Sequence, residues 1–165
     1  MIAFVVDTNV PVVANGKSKQ ADSDCVIACI DKLEVIYRNG RIVLDDSMLI
    51  LHEYMDNLSM SGQPGAGDAF MKWVFSVQAD QSRCERVHLT EDECHPCGFL
   101  EAPNDPDLKG FDRKDRKFVA AANACKCQTQ VLNAVDPDWA EYHKAFANNG
   151  IDVNFLCPQH VCPRR

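Results

Sequence analysis

The sequence predicts an α/β protein with three α/β/α layers and a central, mostly parallel sheet of about five strands. Short apolar runs alternate along the chain with segments in which apolar residues recur at helical spacing. The strand segments are also apolar without alternation, as Ile2–Val6 is, which is typical of strands buried on both faces. The length of 165 residues fits a single domain, 1–165, with one ordinary core.

Local signals mark where the predicted elements begin and end. Asn39-Gly40 ends the first helix, because glycine tolerates the backbone angles that follow a helix. Ser47, Asp68 and Asp112 are expected to cap the helices that follow them, since such side chains accept hydrogen bonds from free backbone amides. The predicted strands are 2–6, 41–44, 86–89, 130–132 and 151–156, and the predicted helices are 24–37, 47–58, 68–79, 112–124 and 138–148.

The stretch over 80–110 interrupts this alternation, because it is rich in Cys, Asp and Pro and its periodicity is poor. We interpret it as an irregular insert that gates substrate or contacts a partner. Its Cys94–Cys97 pair, with Cys84 and His88, would provide four ligands for zinc. Their spacing matches no standard zinc finger, and buried, reduced thiols are the ordinary state of cytosolic cysteine. Structural zinc is therefore an alternative that we do not expect, here or at the looser pairs Cys125–Cys127 and Cys157–Cys162.

The composition is that of a folded, acidic protein. Hydrophobic residues make up 46% of the chain and charged residues 25%, which argues against disorder. The net charge of −7 argues against a general nucleic-acid coat protein, although bound metal ions can bring positive charge to an acidic protein. No run approaches the roughly 18–20 apolar residues of a membrane span, and the first residues lack the basic region of a signal peptide. We therefore expect a cytoplasmic protein with no membrane partner.

Four carboxylates stand at positions where the predicted fold gathers them. Asp7 follows the first strand and Asp136 follows the fourth, so both lie at the carboxyl edge of the sheet, where open α/β folds bind ligands. Glu53 lies beside the apolar stripe of its helix, and Asp115 lies in the first turn of another. Clustered acids need protons or cations, and hard oxygen ligands suit Mg²⁺ or Mn²⁺. Such a site serves metal-assisted phosphodiester hydrolysis.

The segments that carry these acids are Val5-Val6-Asp7-Thr8-Asn9, Leu51-His52-Glu53-Tyr54, Asp115-Arg116-Lys117-Phe118-Val119-Ala120-Ala121-Ala122 and Leu132-Asn133-Ala134-Val135-Asp136-Pro137-Asp138. In this order they resemble the motifs of the PIN domain, a metal-dependent nuclease fold of bacterial toxin ribonucleases and RNA-processing proteins. The closing run 151–158 is similar to the family's last strand, so the resemblance covers nearly the whole chain. Asn133 and Val135 stand where the family usually has a threonine and a glycine.

The resemblance implies a Mg²⁺- or Mn²⁺-dependent nuclease, in the first place an endoribonuclease, and it leaves a toxin-type ribonuclease and a housekeeping enzyme as alternatives. The partners it implies are an RNA substrate, an antitoxin or other protein, and a second copy of the chain in a homodimer. The alternative is a PIN-like binding or scaffold module that has lost catalysis. The residues implied are the metal-binding and catalytic acids Asp7, Glu53, Asp115 and Asp136, the further metal ligands Asp112 and Asp138, the orienting residue Asn9, and the phosphate-positioning residues Arg113, Lys114, Arg116 and Lys117.

Most of these residues also have an ordinary structural interpretation. Asp7 and Asn9 can stabilise the turn after a strand, and Asp115 can complement a helix dipole. Glu53 can be a solvated helix charge, and the basic run beside Asp115 can be a solvated helix start. The order of the four acids along the predicted topology favours the metal site over these interpretations taken together.

The segment Gly65-Ala66-Gly67-Asp68-Ala69-Phe70 is similar to the anion-binding motif of ribokinase-type sugar kinases. In those enzymes a helix N-terminus holds phosphate and an Asp acts as base. They are much longer chains, and they carry the motif late in the sequence. A loop over 61–67 with Asp68 as the helix cap is the simpler interpretation.

Overall fold

The computed structural model of the chain describes residues 1–60 and 65–161. Its five strands form one sheet in the order β3-β2-β1-β4-β5, and every neighbouring pair is parallel. The predicted α/β class and parallel sheet are therefore confirmed. The strands are β1 (Ala3–Val6), β2 (Arg41–Asp45), β3 (Cys84–Val87), β4 (Thr129–Asn133) and β5 (Val153–Phe155).

Seven α-helices accompany the sheet in the part of the chain that the structure describes. They are α1 (Asn9–Ala14), α2 (Ser23–Asn39), α3 (Leu49–Asn57), α4 (Ala66–Val77), α5 (Arg116–Ala124), α6 (Pro137–Glu141) and α7 (His143–Asn148). The first of them was not predicted, because Pro11 suggested a break. Pro11 is the third residue of α1, and a proline in the first turn removes an amide that has no helical partner in any case. The helix predicted over 138–148 is divided into α6 and α7 at Tyr142.

Helices cover the sheet on both faces, as expected for a three-layer α/β/α fold. Residues 42–45 of β2 are all buried, although successive side chains of a strand point to opposite faces. Helices α1, α2 and α4 pack against one another, whereas α5 packs against α3 and against strands β1, β2 and β4. The chain leaves β1 towards β2 on one side and returns to β4 on the other. The carboxyl ends of β1 and β4 therefore form the topological switch point of the sheet.

The helix caps differ from those predicted at three places. Helix α3 begins after Met48, which has a positive φ of 66°, so Ser47 is not its cap. Asp45, at the end of β2, accepts hydrogen bonds from the amides of Leu49 and Ile50 instead, at 2.9 Å each. Helix α5 begins at Arg116 and not at Asp112. Asp45 is the last residue of β2, four residues before Leu49, so it does not stand at the position from which a helix cap is usually predicted.

The third cap explains the glycine-rich motif before α4. Gly65 is the capping residue, and Asp68 lies at the third helical position, where its carboxylate accepts from the amides of Gly65 and Ser59 and from Asn15. A Cβ added to Gly67 would lie 1.9 Å from the carbonyl oxygen of Pro11, so only glycine allows α4 to approach α1 this closely. The motif thus serves helix packing. The predicted loop over 61–67 lies partly outside the described residues.

The irregular segment is narrower than the predicted insert, because β3 falls within 80–110. It extends from 88 to 115, with one 3₁₀ turn at Pro106–Leu108 and an isolated antiparallel bridge between Glu91 and Phe99. Phe99, Leu108 and Phe111 are buried in the common core. The segment is therefore a packed part of the fold.

None of the helices within 1–60 and 65–161 combines the length and the apolar character that a membrane span requires.

Replacing Asp45 with alanine should loosen the start of α3. Two buried backbone amides would lose their acceptor, so we expect the free energy of unfolding to fall by about 1–3 kcal/mol. Urea denaturation measures this change. The matched control is Asp46→Ala, which removes an exposed ion pair with His88 and should cost about 0.5 kcal/mol or less. Equal losses in the two variants would contradict the capping role of Asp45.

Candidate functional site

Three acids from distant parts of the sequence meet at the switch point of the sheet. Asp7 is the first residue after β1, and its amide donates to the carbonyl of Leu132 in β4. Asp136 follows β4, and Asp115 immediately precedes α5. Each offers a carboxylate oxygen within 4.8 Å of the other two. We call this set the carboxylate cluster; it contains three of the four acids that the sequence suggested.

Asp7 is the buried member of the carboxylate cluster. Burial raises the pKa of its carboxyl from 3.8 to about 7, against the opposing effect of two donors, and the charges of Asp136 and Glu53 add to the rise. The donors are the backbone amide of Asn9, 2.9 Å from Oδ1, and the indole Nε1 of Trp139, 2.7 Å from Oδ2. Asp7 is therefore held in one orientation by both of its oxygens, and it exchanges its proton near neutral pH.

Asp115 is the more accessible partner. Burial raises the pKa of its carboxyl from 3.8 to about 8, and the nearby charges of Asp7, Asp136 and Asp112 act in the same direction. A hydrogen bond with Asp136 also favours its protonated form. In the absence of a cation, the cluster therefore retains protons that separate carboxylates would have lost.

Asp136 is positioned by the first turn of α6 and by β4. Its side chain caps α6, because Oδ1 accepts from the amide of Asp138 at 2.9 Å. Its carbonyl accepts from the side-chain amide of Asn133 at 3.0 Å. Asp138 lies in the first turn of α6, next to the cluster in sequence but not one of its three members. The preference for Asp136 over Asp138 as the acid at this end of the sheet agrees with this geometry.

A pair of asparagines joins the ends of β1 and β4. The side chain of Asn9 donates to Oδ1 of Asn133 at 2.7 Å and accepts from the amide of Ala134 at 2.7 Å. Asn133 is completely buried. Asn9 thus holds Asp7 through its backbone and the loop before Asp136 through its side chain. Asn133 therefore connects the ends of the two strands.

Glu53 lies beside the carboxylate cluster and already has two partners. Its Oε1 is 2.7 Å from Nζ of Lys117, and its Oε2 accepts from the hydroxyl of Thr8. The hydroxyl of Tyr54 donates to the carbonyl of Val6 and so fixes α3 against the end of β1. Glu53 contributes to the electrostatic potential at Asp7, but it is not one of the three grouped acids.

The basic run before α5 separates into two parts. Arg113 and Lys114 are exposed. Arg116 donates from Nε to the carbonyl of Phe111 at 2.9 Å, and Lys117 is paired with Glu53. The first two therefore remain available to a phosphate, whereas the last two already stabilise the fold. The side chain of Asp112 accepts from the amide of Lys114 at 3.0 Å, its carbonyl accepts from the amide of Asp115 at 3.1 Å, and its charge helps to raise the pKa of Asp115.

Trp139 is a site residue that the sequence did not reveal. It is fully buried on α6, where its ring packs edge-on against Phe111 with centroids 4.9 Å apart. An indole nitrogen is a donor that needs an acceptor when buried, and here the acceptor is a carboxylate. The only local signal was its position three residues after Asp136, which cannot identify a partner 132 residues earlier.

The cysteines differ from the expectation of reduced thiols. Disulfides join Cys25 to Cys157 and Cys125 to Cys127. The first pair is 132 residues apart in sequence, and only the fold brings it together. The four residues considered for zinc, which are Cys84, His88, Cys94 and Cys97, do not form a metal-sized group, and His88 instead pairs with Asp46 at 2.9 Å. Cys162 lies outside the described residues.

No family model, no curated protein and no solved structure matches this chain. The PIN-like resemblance therefore stays a prediction, and the evidence for a function is the geometry of the site. Three hard oxygen donors, raised carboxyl pKa values and a position at the switch point fit a divalent cation such as Mg²⁺ or Mn²⁺. Such a cation would relieve the repulsion that protons relieve in its absence.

The metal-free protein should lose stability as the pH rises. The folded pKa values of about 7 and 8 for Asp7 and Asp115 exceed those of the unfolded chain, so the folded state binds more protons from about pH 4 upward. The stabilisation that these bound protons give to the folded state is complete below pH 4 and is lost as the pH rises through 7 and 8. Thermal melts in EDTA should show a lower Tm at pH 9 than at pH 6.

Asp115→Asn should flatten this pH dependence and raise the Tm at pH 9, because one repelling charge is gone. The exposed Asp31 on α2 offers a matched control. Asp31→Asn should leave the slope as in the wild type, and a flattened slope in both variants would exclude the cluster as its source.

Removing the indole donor should make Asp7 a weaker acid. Trp139→Phe keeps an aromatic ring next to Phe111 but deletes the hydrogen bond that favours the charged carboxylate. We expect the pKa of Asp7 to rise above its wild-type value in a carboxyl carbon NMR titration. Trp73→Phe, on α4, controls for general loosening of the core. An unchanged titration in Trp139→Phe would mean that the indole does not tune this acid.

Proposed function

We propose that this chain is a divalent-metal-dependent nuclease, specifically an endoribonuclease that hydrolyses RNA phosphodiester bonds with Mg²⁺ or Mn²⁺. The observation that carries the proposal is the carboxylate cluster at the switch point of the sheet, where Asp7, Asp115 and Asp136 lie within 4.8 Å of one another. Four neighbouring features support it: the PIN-like order of the acids, the donors that orient Asp7, the charge of Glu53 and the exposed basic pair Arg113 and Lys114.

In this proposal Asp7, Asp115 and Asp136 hold the metal directly or through water. A bound divalent cation would polarise a phosphoryl oxygen and increase the acidity of a water molecule. The reaction breaks one P–O ester bond and adds the elements of water, so that one product carries a phosphate monoester and the other a free hydroxyl. Other residues of the chain orient the proposed metal ligands. Trp139 and the amide of Asn9 donate hydrogen bonds to the carboxylate of Asp7, and the first turn of α6 donates one to the carboxylate of Asp136.

Few basic side chains near the carboxylate cluster are available to bind the phosphates of a substrate. Arg113 and Lys114 are exposed immediately before Asp115, a position from which long cationic side chains can reach phosphate. The net charge of −7 makes general attraction of nucleic acid weak, so the proposed affinity for RNA depends on the metal and this local pair. We further propose a cytoplasmic, toxin-type enzyme with an antitoxin-like protein as partner.

One contact favours a second candidate function. Lys117 already neutralises Glu53, with Nζ 2.7 Å from Oε1 and only 13% of its side chain exposed. A lysine in this place reduces the negative charge available to a second cation. The alternative is therefore a PIN-like binding or scaffold module in which the cluster no longer serves hydrolysis. Cleavage assays with and without Mn²⁺ separate the two.

Replacing Asp7 with asparagine should abolish cleavage without unfolding the protein. The amide keeps the shape of the side chain but removes a charge that the metal requires. We expect at least about a 100-fold loss of cleavage rate on labelled single-stranded RNA with Mn²⁺, together with loss of the Mn²⁺-dependent rise in Tm.

Asp31→Asn is again the matched control and should cut RNA as the wild type does. Wild-type cleavage by Asp7→Asn would refute the assignment of Asp7. A wild-type protein that neither cleaves RNA nor gains Tm with Mn²⁺ would favour the non-catalytic module.

A further inference from the structure

A second group of metal-ligating side chains lies outside the carboxylate cluster. The sulfurs of Cys25, Cys29 and Cys157 all lie within 4.8 Å of one another, and all three residues are completely buried. We call this group the sulfur cluster. Two of its members lie on α2, and the third follows β5, so the group joins the start of a long helix to the C-terminal segment.

The local structure explains how α2 presents two sulfurs together. Asp22 caps the helix by accepting from the amide of Cys25 at 2.9 Å, which fixes Cys25 in the first turn. Cys29 follows four residues later, so its side chain lies on the same face. Cys157 lies between β5 and a 3₁₀ turn at Pro158–His160.

A disulfide accounts for only two of the three sulfurs. Cys25 and Cys157 are bonded, which leaves Cys29 as a third sulfur in a fully buried position with no bonding role. A relay by thiol–disulfide exchange needs an accessible, ionised thiol, and buried cysteines are inert in this respect. Three converging sulfurs are instead the donor set of a soft metal site, for which zinc is the usual ion.

A fourth ligand is available three residues after Cys157. His160 is three-quarters buried, and its Nε2 is enclosed without a hydrogen bond of good geometry, 3.2 Å from Oδ1 of Asp22. Zinc-bound histidines commonly direct their second ring nitrogen at a carboxylate, and Asp22 would serve in this way if Nδ1 faced the metal. His160 is not among the three grouped ligands, so its ring has to turn towards the sulfurs on binding.

We infer that the reduced protein binds one Zn²⁺ through Cys25, Cys29, Cys157 and His160, in a structural site that fastens the C-terminal segment to α2. The site is independent of the proposed nuclease activity, because thiolates and carboxylates select different ions. All four ligands come from the protein, which is typical of structural zinc rather than catalytic zinc.

The disulfide and the zinc site are alternative states of the same cysteines. As the chain folds, and before these cysteines are buried, two equivalents of a monothiol such as glutathione break the Cys25–Cys157 bond, place one hydrogen on each sulfur and leave as their own disulfide. The three cysteine thiols then lose three protons to solvent as the thiolates bind Zn²⁺.

The test is the zinc content of the full chain, purified in reduced glutathione and dialysed against a weak chelator. We expect about one zinc per chain in the wild type and less than about a tenth of that in Cys29→Ser, which cannot affect a Cys25–Cys157 disulfide. His160→Gln should weaken zinc binding at least about tenfold. Cys97→Ser, at another buried cysteine, is the matched control and should keep its zinc.

Alkylation of the wild type provides a measurement that does not depend on how the variants fold. Mass spectrometry should find Cys25, Cys29 and Cys157 protected by zinc and labelled after its removal with EDTA. A reduced wild type that carries no zinc and takes up none would overturn the inference. Retention of zinc by a folded Cys29→Ser would do the same, and undiminished affinity in His160→Gln would remove His160 from the site.

Discussion

Electrostatic repulsion among Asp7, Asp115 and Asp136 is the constraint around which this end of the molecule is organised. Three carboxylates within 4.8 Å of one another, one of them fully buried, are stable only if protons or cations reduce their charge. Burial first, and the neighbouring acids second, raise the pKa of Asp7 and of Asp115, so that protons reduce the charge of the cluster when no cation is bound. A divalent cation has to displace these protons, and its two positive charges then relieve the same repulsion.

The surrounding structure keeps the cluster from relaxing. The Asn9–Asn133 link prevents the ends of β1 and β4 from separating, and Trp139 holds Asp7 from the opposite side. Trp139 is in turn supported by Phe111, which belongs to the irregular segment between β3 and α5. A stretch of chain without regular secondary structure therefore forms part of the support of the site. Several of its apolar side chains are buried in the common core.

The sequence predicted the parts of the fold that depend on local pattern. The apolar runs predicted five strands, and because parallel strands end at one edge, the positions of Asp7 and Asp136 followed from them. Asp115 was predicted in the first turn of a helix that starts at 112, whereas it immediately precedes α5. What could not be predicted depends on contacts between distant segments. Lys117, for example, pairs with a glutamate 64 residues away. Cys25 and Cys157 likewise have no local signal that they meet.

The bond between Asp7 and Trp139 spans 132 residues, and this separation has a consequence during translation. A ribosome releases β1 early, but the helix that carries Trp139 emerges only after most of the chain has been made. Until β4 and Asp136 have been made, a nascent chain possesses at most Asp7 and Asp115 of the three acids, and Asp7 lacks the indole that orients one of its oxygens. If the proposed activity is correct, the enzyme cannot attack the messenger that encodes it while its own synthesis is still far from α6. By the same proposal, truncated products that stop before α6 lack Trp139 and should be inactive.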